Sequence, residues 1–235
     1  MTLKRIALYG GTFDPVHDGH LAVARELGAR FKFDEVLFIP AHVAPHKRAA
    51  AAPASPWHRH AMLALATQGE PGWRVSTVEL EAPERPYTVE TIARLRADYG
   101  GRGGAGVRLF FVMGADSWAE ITTWREWERL LAISDHVVVT RPGYEIEAAH
   151  VGAAARARIV DLRGAGVGRA EDWLNDEAGP RIFFSDAVML GISSTGVRRA
   201  ARAGGGGLPV PRPVADYLKK HGLYTDRYDT ERNGT

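Results

Sequence analysis

The sequence predicts an α/β protein built on a doubly wound, mostly parallel sheet. Short apolar segments rich in β-branched and aromatic residues alternate with stretches of helical periodicity, the pattern of buried strands and the helices that cover them. A glycine turn, Gly10-Gly11, follows the first apolar segment directly. Ligands in such folds bind there, beyond the carboxyl ends of the strands and where the strand order reverses.

Each element has its own warrant. The first strand is expected over residues 5–9, from Ile6-Ala7-Leu8-Tyr9, and a helix over 19–30. A strand at 35–40 leads into a long alanine- and proline-rich loop at 41–55 that carries His42, His46 and Lys47. Helical spacing predicts helices over 56–67, 88–99, 124–132 and 145–157, and β-rich runs predict strands over 73–80, 108–113, 136–140, 158–162 and 182–184. Residues 163–180 mix glycines with an acidic, tryptophan-containing patch and read as a surface insertion without assigned chemistry. Hydroxyls at 193–195 suit the cap of a further helix. The glycine run 204–207 reads as a flexible linker before a short closing helix within 211–224, and the polar tail 225–235 is read as disordered. One domain is therefore expected over 1–224, with a core at 1–203 and a helical segment at 208–224.

The segment Gly10-Gly11-Thr12-Phe13-Asp14-Pro15-Val16-His17-Asp18-Gly19-His20 carries the strongest chemical signal. Glycines let the backbone approach a ligand or take conformations closed to other residues, Thr12 adds a hydroxyl donor, and Pro15 stiffens the turn. A helix beginning near Asp18 puts His17 and His20 on one face, beside N–H groups suited to an anion. A second cradle is expected at Ser193-Ser194-Thr195, where hydroxyls and first-turn amides stand near the charged fork of Arg198. Together they point to phosphate handling.

Composition narrows the classes. Thirty Lys and Arg against 28 Asp and Glu leave a formal charge of +2, far from the basic stripe of a nucleic-acid binder. With no cysteine there is no disulfide, thiolate metal site or cysteine nucleophile. No apolar run has the length of a signal or bilayer-spanning segment, so no membrane partner and a cytoplasmic location are expected.

These motifs, with Pro45-His46-Lys47, Pro86-Tyr87-Thr88-Val89, Gly114-Ala115-Asp116-Ser117, Thr123-Trp124 and Arg141-Pro142-Gly143-Tyr144 between them, resemble the bacterial nicotinate mononucleotide adenylyltransferases in order and over the chain to about Tyr224. That family lies within the nucleotidyltransferases bearing a Thr- or His-x-Gly-His signature. The resemblance implies a Rossmann-like nucleotidyltransferase fold and transfer of the adenylyl group of ATP, accompanied by Mg²⁺, to nicotinate mononucleotide. It casts His17, His20 and Arg198 as catalytic, with Gly10, Gly11, Thr12, Phe13, Gly114, Asp116, Ser193, Ser194 and Thr195 completing the ATP site. It places Lys47, Thr88, Trp124, Arg125 and Arg141 around the mononucleotide, Trp124 stacking on the pyridine ring. A homo-oligomer is compatible with it.

Read without the family, Trp124 is an ordinary core tryptophan, Asp116 a turn cap and Arg141 a strand-end charge. Two other functions share parts of the pattern: a sister transferase acting on nicotinamide mononucleotide or phosphopantetheine or using CTP, and a non-catalytic nucleotide binder. The ring-stacking Trp124 and the Thr88 segment argue against phosphopantetheine and CTP, and leave nicotinamide mononucleotide as an alternative acceptor. The presence of both histidines argues against the second.

Overall fold

The computed structural model describes residues 3–42, 54–100, 106–140, 145–166, 170–174, 179–186, 188 and 190–225. Among the described residues, seven strands form one sheet: β1 (Lys4–Gly11), β2 (Glu35–Pro40), β3 (Trp73–Val75), β4 (Val107–Gly114), β5 (Asp135–Val139), β6 (Ile159–Asp161) and β7 (Ile182–Ser185). Every pairing is parallel, in the order β3-β2-β1-β4-β5-β7-β6. The order therefore reverses between β1 and β4, and the glycine turn ends β1 at that point, as expected.

Side-chain alternation along the strands explains the two winding directions. Ala7, Phe38, Phe110 and Val137 face one core, covered by α1 (Asp18–Phe31), α2 (Pro56–Thr67) and two later helices, α8 (Ser194–Arg202) and α9 (Arg212–Lys220). Ile6, Leu8, Leu37, Leu109 and Val138 face the other, covered by α3 (Thr88–Gly100), α4 (Ala115–Ala119), α5 (Trp127–Ile133) and α6 (Ala153–Arg156). Because helices cover both faces of the sheet, the middles of β1 and β4 are buried on both sides, which accounts for their apolar runs Ile6-Ala7-Leu8 and Leu109 to Met113.

Several expected elements are shorter than their periodicity suggested. β3 ends at Val75 because the Ser76 hydroxyl accepts the Val78 N–H and diverts the chain into a turn. The helix expected over 124–132 begins only at Trp127: a 3₁₀ turn (Ile121–Thr123) precedes it, Trp124 is extended, and Glu126 takes a left-handed conformation. That expected over 145–157 is reduced to α6, since Ile146 turns into the core and the Glu147 carbonyl accepts the Trp118 indole at 2.6 Å. The helix α4 gave no clear periodic signal at five residues.

Within 163–180, the described residues 170–174 are tied into the core, which a surface insertion would not be. A short helix, α7 (Glu171–Leu174), buries Ala170 and Leu174, and Arg108 holds it. The Arg108 guanidinium makes a fork with Asp135 across β4 and β5 at 2.8 Å on both arms, and its remaining arm donates to the Trp173 and Leu174 carbonyls. The glycine run 204–207 forms a turn closing α8: Gly205 N–H donates to the Ala200 carbonyl, with Gly204 and Gly207 at positive φ. Of the tail 225–235, residues 226–235 lie outside the described residues.

On β5, His136 is fully buried, with Nδ1 3.1 Å from the Ser134 carbonyl. Burial pushes its pKa down to about 3, so the imidazole is neutral in the folded protein, with its proton on the nitrogen facing that carbonyl.

Candidate active site

At the carboxyl edge of β1 and β4 lies a cavity of about 650 Å³. Gly10 and Gly11 form part of its wall, and their need for glycine differs from the expectation that backbone freedom requires them. A Cβ on Gly10 would stand 3.0 Å from Phe111 Cε2, and one on Gly11 would stand 3.0 Å from Phe13 Cζ. The positive φ of this loop falls instead on Phe13, whose ring packs at near-right angles against Tyr9, Phe38 and His20. Phe13, 1% exposed, therefore holds up the floor of the cavity. The following Asp14–Pro15 peptide is cis.

His17 caps α1 in extended conformation, and His20 is the third residue of that helix. The rings stack with centroids 3.7 Å apart and 22° between planes. His17 N–H donates to His20 Nδ1 at 3.2 Å, so neutral His20 carries its proton on Nε2. The Asp18 N–H is committed to the Pro209 carbonyl at 3.0 Å. Burial pushes the Asp18 carboxyl above its ordinary range, and Arg25 opposes that. Thr12 lines the same wall.

The second cradle is fastened to the first. Ser193 caps α8 by accepting the Gly196 N–H at 3.1 Å, which leaves its own hydroxyl hydrogen to donate. Ser194 donates to the Pro15 carbonyl at 3.0 Å. Ser193, Ser194 and Thr195 line the cavity. Arg198 lies outside its lining: Nη1 donates to the Asp14 carbonyl at 2.7 Å and Nη2 to Thr195 Oγ1 at 3.1 Å. The reason is geometric, since one turn inside α8 its side chain reaches the back of the Asp14 turn.

The other end of the cavity is built from β4 and the start of α3. Gly114 caps α4, and the Asp116 carboxylate accepts the Ser117 N–H at 2.9 Å while lining the wall. Thr88 opens α3, where Glu90 Oε2 takes the Tyr87 N–H at 3.1 Å. Trp124 meets Phe111 edge-on at 6.5 Å between centroids, and Arg125 lies over the Tyr87 ring at 4.7 Å. Thr88, Trp124 and Arg125 all face this end. Lys47 and Arg141 lie outside the described residues.

The wall also holds His42, from the loop singled out after β2, and two ionisable residues that sequence reasoning missed, Glu79 and Arg85. Glu79 accepts the Thr91 hydroxyl at 3.0 Å and the His42 N–H at 3.4 Å. Burial pushes its carboxyl above the ordinary range, while those partners and the charges of His42 and Arg85 pull it back. It sits in a stretch read as strand, with nothing local to mark it.

A family model described as cytidylyltransferase-like matches residues 8–200. The chain is 35% identical over 223 residues to a probable nicotinate-nucleotide adenylyltransferase of Tropheryma whipplei (strain Twist), covering 93% of this chain and 99% of that protein. It is 36% identical over 227 residues to a protein of the same name from Desulfatibacillum aliphaticivorans, covering 94% and 99%. Its fold is similar to the Plasmodium falciparum nicotinic acid mononucleotide adenylyltransferase complexed with NaAD, with a TM-score of 0.65 at 17% identity over 94% of this chain and 97% of that one.

Proposed function

From the premise that the chain belongs to the cytidylyltransferase-like family and is 35–36% identical, over nearly its whole length, to proteins named probable nicotinate-nucleotide adenylyltransferase, we propose that it transfers the adenylyl group of ATP to nicotinate mononucleotide. The products are nicotinate adenine dinucleotide and pyrophosphate, and the reaction belongs to NAD biosynthesis. One observation carries the reading from the side of this chain: a single cavity has stacked imidazoles and two helix starts at one end, and Thr88, Trp124 and Arg125 at the other.

The acceptor's 5′-phosphate oxygen is already ionised near neutral pH and attacks the α-phosphorus of ATP in line. The new P–O bond forms as the bond to the β-phosphate bridging oxygen breaks, and pyrophosphate leaves with that electron pair. No nucleophile on the protein is required. The work left to the chain is to hold two anions together and to donate hydrogen bonds to charge developing at phosphorus and on the leaving group. His17 and His20 take that role, with Thr12, Ser193 and Thr195 hydroxyls beside them. Arg198 contributes by holding the loop and by its positive charge. Gly114 and Asp116 receive the adenosine, Trp124 the pyridine ring, and Thr88 the nicotinate carboxylate.

Mg²⁺ enters with ATP and supplies charge neutralisation on the phosphates. The donor set of the phosphate end, imidazoles, hydroxyls and helix amides, suits phosphate oxygens and leaves the cation to them. We place the reaction in the cytoplasm; among the described residues no helix is long and apolar enough to cross a membrane.

The test is pyrophosphate release from ATP and Mg²⁺ with nicotinate mononucleotide, nicotinamide mononucleotide or phosphopantetheine, and with no acceptor. Release that depends on nicotinate mononucleotide is expected. Release driven only by phosphopantetheine would replace the acceptor, and none with any acceptor would overturn the reading.

A further inference from the structure

Behind the phosphate loop lies a buried cluster that none of the transfer steps touches. Arg59, in the first turn of α2, is 1% exposed. Its guanidinium donates to four carbonyls: Thr12 at 2.8 Å, Ala41 at 2.7 Å, His42 at 3.1 Å and Ala54 at 3.1 Å. Thr12, Ala41 and His42 all belong to the cavity wall, the first on the loop after β1 and the others leaving β2. Asp14, 2% exposed, is the counterpart. Its Oδ1 accepts the Ala54 N–H at 2.9 Å and the Tyr224 hydroxyl at 2.7 Å. Its Oδ2 lies 3.5 Å from Arg198 Nη1.

A buried guanidinium needs many fixed acceptors to offset its lost hydration, and those acceptors are ordered in return. Desolvation weakens the hold of Arg59 on its proton, and the charges of Asp14, Tyr224 and Glu79 oppose that. A lysine ammonium has three donors radiating from one nitrogen and cannot reproduce a planar fork spanning two loops.

We propose that Arg59, Asp14 and Tyr224 form a positioning unit that sets the phosphate loop against the β2 wall, so that the end of the chain helps to shape the site. Tyr224 lies beyond residues 8–200 of the family match, and its bond to Asp14 spans 210 positions. The unit acts through Thr12 and Asp14 and touches no reacting atom. It rests on the adenylyl-transfer reading above.

The variants are Arg59→Lys, which keeps charge and loses the fork, and Tyr224→Phe, which removes one hydrogen bond and keeps the ring. Arg108→Lys serves as control, because it disturbs a buried ion pair at the amino end of β4, opposite the cavity. Melting temperature is measured for each, then kcat and both KM values well below the melting point. Arg59→Lys should lower kcat about 10²-fold, the loss that roughly 1 Å of misplacement produces, with smaller changes in KM. Tyr224→Phe should lower kcat severalfold, and the double variant should be no worse than Arg59→Lys alone. Arg108→Lys should lower the melting temperature and leave kcat within twofold.

Folded Arg59→Lys and Tyr224→Phe with kcat within twofold of wild type would overturn the unit. So would an equal loss in Arg108→Lys, which would reduce the effect to stability. If Arg59→Lys does not fold, Tyr224→Phe decides by the same criterion. An inactive wild type would strike only the adenylyl-transfer reading. The unit would then be judged by ATP affinity, which Arg59→Lys should weaken severalfold and Arg108→Lys should leave unchanged.

Discussion

The two ends of the cavity are held in different ways. The phosphate end is clamped by polar groups from distant parts of the chain, buried for Arg59 on Thr12 and Tyr224 on Asp14, half-buried for Ser194 on Pro15 and Arg198 on Asp14. The acceptor end is held by local turns and by rings, with Arg125 over an exposed Tyr87 and Trp124 edge-on to Phe111. Charge that develops in a reaction needs fixed donors, whereas choosing between acceptors needs a surface that discriminates by shape and a few polar contacts. Changes at the first end should therefore fall on kcat, and changes at the second on KM.

The largest expected effect is at the phosphate end. His17→Ala or His20→Ala should lower kcat by about 10² to 10³, as loss of one preorganised donor does, with little change in ATP affinity. Steady-state kinetics on variants with wild-type circular dichroism check it, and a folded variant within threefold of wild-type turnover would break the contrast.

The next effect is on the floor that both ends share. Phe111 packs under Gly10, Trp124 and His136. Folded His136 has a pKa of about 3 against 6.5 when exposed, so below pH 6.5 the unfolded chain takes up a proton that the folded one refuses. Stability should be unaffected by this group above pH 6.5 and fall as pH drops toward 3, by up to about 1.4 kcal/mol per unit. Denaturant midpoints between pH 7 and pH 4.5 should fall less in His136→Leu than in wild type. Parallel curves would remove His136 as the cause.

At the acceptor end, Trp124→Ala should raise KM for the mononucleotide while leaving KM for ATP nearly constant, with stacking contributing roughly 1 to 3 kcal/mol by analogy with bases on aromatic side chains. An equal rise for both substrates would mean that Trp124 supports the whole cavity. The smallest effect is expected from a stop codon after Tyr224, which keeps the bond to Asp14 and removes a polar segment with little to bury. A melting temperature lowered by several degrees would show that the removed residues dock.

The phosphate loop was legible because its signal is local: a strand, a glycine pair and two histidines three apart, with α1 starting at Asp18 as the spacing required. The reason for the glycines was not legible, since it depends on where the Phe13 and Phe111 rings lie in three dimensions. The clamp was equally hidden. Arg59 meets Thr12 across 47 positions and Tyr224 meets Asp14 across 210, so neither leaves a periodicity or spacing to read. In the same way, helical periodicity at 145–157 lost to tertiary contacts, where Trp118 captured the Glu147 carbonyl. The parallel sheet was legible because strands and helices alternate along the chain, but the order of its strands was not, and α7 escaped because its anchor is a single arginine on another strand.

The choice of acceptor is what separates this enzyme from its sister transferases. Nicotinate and nicotinamide mononucleotides differ only at the ring substituent, where donors near Thr88 and Trp124 would make charge-assisted hydrogen bonds to the acid and weaker ones to the amide. At matched ATP and Mg²⁺, kcat/KM should favour nicotinate mononucleotide at least tenfold, about 1.4 kcal/mol in transition-state stabilisation. Equal efficiency, or preference for the amide, would contradict the assignment of the acceptor.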